Sequence, residues 1–242
     1  MRSKLESLQI ICSRPMSSFV LALLTTFTSL AVYAHGLEGA DAAFVQAIDG
    51  PAVGPFIYLG AKHMVTGYDH LLFLFGVIFF LYKPRHIFKY VSLFAIGHSL
   101  TLLFGVLADL TVNAYLIDAI IGFSIAYKAF ENIDGFKSVF SFNPRADVAV
   151  FVFGLFHGLG LATKLQEFNL SENGIITNIL SFNIGVELGQ LFALSVVLIG
   201  IIIWRSTDNF SRNAFATNVV IMTAGFLLAG YQLSHYYWTG AI

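Results

Sequence analysis

Apolar residues run along this chain in stretches of about twenty or more, broken by short connections that hold most of the charge. An α-helix rises 1.5 Å per residue and needs about 20 apolar residues to cross a hydrocarbon layer of about 30 Å. The pattern predicts spans over residues 56–82, 87–108, 112–133, 146–165, 174–204 and 214–238. The expected fold class is therefore all-α, a polytopic transmembrane bundle of six helices after a cleaved signal peptide.

The first 34 residues have the three parts of a secretory signal. Arg2, Lys4 and Arg14 make a basic region with Met1 or Met16 as the start, Phe19 to Val32 form an apolar run too short for a span, and Val32-Tyr33-Ala34 offers a cleavage site before His35. Residues 35–55 carry Glu38, Asp41 and Asp49 with Gly50-Pro51 and Gly54-Pro55 as breakers, and are expected to form an external arm leading into a transmembrane domain over 56–242. Lys83, Arg85, Lys89, Lys137, Arg145, Arg205 and Arg212 all fall in or beside the connections after the first, third and fifth spans, whereas the other connections hold only Lys164. By the positive-inside rule the mature amino and carboxyl termini both lie outside.

Composition sharpens this picture. Hydrophobic residues make up 57% of the 242 and charged residues only 11%, against roughly 25% charged in soluble domains. A net charge of -1 leaves no basic surface for nucleic acid. The sole cysteine, Cys12, lies in the segment expected to be removed, so a metal site in the mature chain must use nitrogen and oxygen donors.

Ionisable groups inside a span cost roughly 2.5–3.5 kcal/mol each on insertion scales, so the ones present point to a bundle interior or a wet cavity. His63, Asp69 and His70 sit in the first span, and on one continuous helix the two histidines would lie about 10 Å apart along the axis. His98 follows Gly97 and precedes Ser99 and Thr101 in the second span, and His157 stands among Gly154, Gly158 and Gly160 in the fourth. Each is either a ligand or a buried histidine bonded to a neighbouring helix. The fifth span offers Asn183, Glu187 and Gln190 at helical spacing on one expected inner face, with Glu187 as ligand, proton carrier or helix-bridging acceptor. Asp118, Lys128 and Glu131 lie in the third span, the last two spaced for an ion pair or for snorkelling to the interface. His86 reads as a solvated loop residue and His235, before Tyr236, Tyr237 and Trp238, as an interfacial anchor.

Imidazoles and carboxylates from four spans suit a divalent nickel, cobalt, zinc, copper or iron ion. The segments GAKHMVTGYDHLLFL, AIGHSLTL, KAFEN, FGLFHGLGLA and FNIGVELGQL, in that order, resemble the HupE/UreJ family of bacterial membrane proteins, in its second, DHLLFL-type branch. That family is described as nickel or cobalt permeases and as accessories to hydrogenase or urease operons. The resemblance implies a multi-pass protein of the bacterial cytoplasmic (inner) membrane. It makes His63, Asp69, His70, His98, His157 and Glu187 the metal-handling residues, and by their own positions His35, Glu131, Asn183 and Gln190 are accessory candidates. A divalent-metal permease is the first expectation, with His35 and the acidic arm collecting the ion outside and Glu131 receiving it inside. The rivals are an intramembrane metal-dependent hydrolase, with Ser99 in support, and a metal-delivery partner of a metalloenzyme assembly system.

Overall fold

The computed structural model describes residues 45–166 and 173–239. The expected signal peptide, His35 and the arm up to residue 44 lie outside the described residues. Those described are helical with no strand, in the order α1 (Val53–Thr66), α2 (Tyr68–Ile78), α3 (Pro84–Leu107), α4 (Ala114–Asn132), α5 (Gly135–Phe140), α6 (Ala146–Gln166), α7 (Ile175–Arg205) and α8 (Asn209–Trp238). By length and composition, α3, α6, α7 and α8 are long and apolar enough to cross a membrane. The 19 residues of α4 include Asp118, Lys128 and Glu131.

The count of six is corrected in two places. A short helix, α5, occupies the third expected connection, and the first expected span is two helices parted at Gly67. The Gly67 backbone is extended, at φ -72° and ψ 100°; its N–H still closes the last turn of α1 on the His63 carbonyl (2.9 Å), and its own carbonyl accepts from Leu71 to open α2 (3.1 Å). A Cβ at Gly67 would stand 2.7 Å from His70 Nδ1, so any other residue would push that ring aside. Asp69 lies in the first turn of α2, where the positive end of the helix dipole favours a carboxylate.

At its other end α2 stops at Ile78, short of the expected residue 82. Carbonyls at a helix C-terminus have no partner within the helix. Here Arg205 of α7 supplies one, donating to Ile78 (2.8 Å), Leu81 (2.9 Å) and Phe79. Asn132 of α4 donates to the Gly76 carbonyl (2.8 Å) and to Asn218 of α8 (2.9 Å).

The long helices pack as three close pairs, α1 with α7, α3 with α6, and α4 with α8, and α2 touches members of all three. Small residues set the spacing of each pair, as they do where helices associate without a hydrophobic driving force. A Cβ at Gly60 would run into the Phe182 carbonyl, one at Gly158 into the His98 carbonyl, and one at Gly122 would lie 2.6 Å from the Ala229 nitrogen. Residues 45–52, at the end of the expected external arm, are docked: Val45 is buried in the core, Ala52 N–H donates to Asn178 Oδ1 (2.7 Å), and Asn178 Nδ2 donates to the Gly50 carbonyl (3.0 Å).

Candidate metal site

The break at Gly67 changes the geometry of the first motif. His63 ends α1 and His70 begins α2, so the two rings meet edge to face with centroids 5.0 Å apart. The separation of about 10 Å along a continuous helix is thereby overturned. From α6, His157 approaches His70 at 5.2 Å, and from α3, His98 approaches it at 6.2 Å. His70 is the hub. Two imidazoles that share one ion, each nitrogen at about 2.0–2.1 Å, have centroids roughly 5 Å apart; His63 and His157 match that spacing to His70, and His98 stands about an ångström further out.

Second contacts orient the rings. Asp69 Oδ1 lies 3.0 Å from His70 Nδ1, and the Phe153 carbonyl lies 2.7 Å from His157 Nδ1. Carboxylate and carbonyl oxygens only accept, so both Nδ1 atoms carry the hydrogen and each ring presents Nε2 as the lone-pair nitrogen. Metal-binding histidines are commonly held in this way. Thr101 Oγ1 lies 2.7 Å from the Leu155 carbonyl across the α3–α6 seam and 3.1 Å from the Gly97 carbonyl in its own helix, and its one hydrogen, directed to the nearer Leu155, ties the register of His98 to that of His157.

The surroundings are aromatic and dry. Phe94 stacks on His98 (6.2 Å) and meets His157 edge-on (4.9 Å); Phe73 lies 5.5 Å from His157 and Phe182 6.0 Å from His63. Asp69, His70, His98 and His157 are all buried. Within this apolar shell, His70 Nε2 and both ring nitrogens of His98 have no hydrogen-bond partner. A buried polar atom without a partner costs about 1–3 kcal/mol, so three of them in one cluster call for a partner from outside the protein, a water or an ion. Among the described residues no three His, Cys, Asp or Glu side chains converge closely enough to hold a metal ion as they stand.

A family model described as HupE / UreJ protein matches residues 39–240, most of the chain. This chain belongs to the HupE / UreJ family. No curated protein and no solved structure matches it. The HupE / UreJ family is associated with nickel or cobalt transport or an accessory function.

Other expected residues of this HupE / UreJ protein fall elsewhere. Glu187 is exposed on α7, contrary to the inward-facing carboxylate expected. Asn183 and Gln190 are buried, with Gln190 Nε2 donating to the Val91 carbonyl at 3.4 Å and Asn183 Oδ1 left without a hydrogen-bond partner. Glu131 accepts from Lys128 Nζ (2.9 Å), the ion pair their spacing allows. His235 lies among Tyr231 (4.5 Å) and Tyr115 (5.9 Å), as suits an interfacial aromatic group. Three contributors were missed in the sequence: Phe94, one turn before His98 and so on its face; Arg205, which caps α2; and Lys164, whose Nζ lies 2.9 Å from Asp118 Oδ2.

Proposed function

We propose that this protein is a permease for a divalent transition-metal ion, nickel or cobalt in character, in the bacterial cytoplasmic membrane, with both mature termini outside. The ion is the cargo, and His63, His70, His98 and His157 with Asp69 are its transit site. The single observation that carries this is the set of buried, partnerless nitrogens on His70 and His98 beside two further imidazoles.

The broken helix supports the same assignment. Discontinuous helices at mid-membrane bring half-helix ends to a transported ion, and carbonyls at a C-terminal end favour a cation. At Gly67 the C-terminal end of α1 faces the cluster, and Asp69 offsets the opposing dipole of α2. Transport requires release, so rings that come close without forming a closed cage suit a carrier better than a structural site. Ligand nitrogens must be deprotonated to bind, so protonation of His70 or His98 would compete with the ion and promote its release.

The test is uptake of nickel, cobalt, zinc and copper into proteoliposomes, with bound metal measured on the same samples, for the wild type, His70→Ala and His98→Ala. Saturable uptake of one ion, lost in both variants, is expected. Stoichiometric binding with no flux would move the assignment to an enzyme or delivery role, and neither binding nor flux would make the cluster structural.

A further inference from the structure

Glu187 is the one Asp, Glu, Lys, Arg or His side chain, among the described residues, that is exposed and more than two turns from either end of its helix. Its neighbours on the surface of α7 are Ile184, Leu188 and Leu191, all exposed. In a bilayer that surface meets acyl chains, which offer a carboxyl group no hydrogen bond. The exposed mid-span surfaces of the other described helices carry no basic group that could reach it from a neighbour. A head-to-tail contact between copies therefore offers the carboxyl no ion pair.

A two-fold contact offers it a second, identical carboxyl group. We infer that α7 is the surface through which two copies of this chain associate in the membrane, with the two Glu187 side chains meeting at the axis as a neutral, hydrogen-bonded carboxylic acid pair. An isologous interface sets each residue against or near its own counterpart, so a single self-complementary group is enough. The stripe that faces the axis is continuous. Thr177, Leu180, Ile184, Glu187, Leu191 and Ser195 recur every three or four residues, all are exposed, and at about 100° per residue they fall within roughly an 80° arc. The opposite side of α7 is already taken, since Gly185 and Gly189 lie against the backbone of Ile57 and Ala61 in α1. Interhelical polar contacts of this kind are a recognised means of association in lipid.

The interface is independent of the permease assignment, and its test does not read transport. Purified protein with Cys12→Ser is placed in lipid vesicles at high lipid-to-protein ratio, carrying one new cysteine at Leu191→Cys or Ile184→Cys on the stripe, or at Phe104→Cys on α3 or Phe226→Cys on α8, both also exposed. Oxidation should give covalent dimer several-fold more readily at the two α7 positions than at the other two. Adding Glu187→Leu to Leu191→Cys should cut the yield several-fold, while Glu187→Gln, whose amide can pair with itself, should retain most of it. Equal yields at all four positions would overturn the proposal, as would a Glu187→Leu yield equal to that of the parent.

Discussion

Replacing His98 by leucine should stabilise the metal-free protein and remove its response to metal. Both His98 nitrogens are buried without a hydrogen-bond partner. Each such atom costs about 1–3 kcal/mol, and leucine, close to histidine in size, removes both at a shape mismatch of up to about 1.5 kcal/mol. Helices released from the bundle still sit in detergent or lipid and find other partners, which favours the low end of the range. A net gain of about 1–2 kcal/mol follows, or several degrees in thermal midpoint for a domain of this size. The assay is thermal unfolding of wild type and His98→Leu in detergent, first with chelator and then with nickel. An ion at 100 times its Kd stabilises the folded state that binds it by about 2.7 kcal/mol. The wild type should therefore overtake the variant once metal is added, and the variant should respond weakly or not at all. A variant less stable than wild type in chelator would refute the reasoning, because it would mean that these nitrogens are already satisfied.

Asp69→Asn keeps the size of the group but replaces an obligate acceptor with one that can also donate to His70, so metal affinity by calorimetric titration should fall about 10–100-fold; unchanged affinity would remove Asp69 from the site. Gly60→Ala places a methyl against the Phe182 carbonyl and should cost about 1–3 kcal/mol in thermal unfolding by forcing α1 away from α7. Arg205→Ala leaves the carbonyls of Ile78, Phe79 and Leu81 without their donor. Hydrogen bonds to charged groups contribute about 1.5–3 kcal/mol each, so amide exchange through residues 78–81 should speed up at least about tenfold.

The long helices were legible because length and apolarity alone define them. The spans expected over 87–108, 146–165 and 174–204 agree with α3, α6 and α7 to within about three residues, and α8 begins five residues before the expected 214. The break at Gly67 was not legible. An apolar run on both sides reads as one helix, and what marks the break is a local contact that only the folded backbone shows, the packing of His70 Nδ1 over Gly67. The imidazoles could be found because His98 and His157 sit beside glycines that bring α3 and α6 together. Glu187 went astray through helical arithmetic. At about 100° per residue Asn183 and Gln190 lie some 20° apart and are both buried, while Glu187 is about 40° and 60° round from them, enough to carry it over the edge of the buried face.

Polar residues within these spans separate by what satisfies them, which composition and spacing do not show. Asp118 is matched by Lys164, at 2.9 Å, and by Gln232, at 3.4 Å, so three helices are joined by a pair that is neutral overall. Lys128 and Glu131 neutralise each other within α4. A second charge or an amide already compensates these groups, and removing one partner would expose the other. His70 and His98 differ: no carboxylate or carbonyl meets His70 Nε2 or either nitrogen of His98, although hydroxyls and amides elsewhere in the same bundle show that side chains able to bond them fit between these helices. A fold that pairs Asp118 with Lys164 and Glu131 with Lys128, yet leaves imidazole nitrogens bare at the meeting point of α1, α2, α3 and α6, has placed lone pairs where an incoming cation would supply the missing partner.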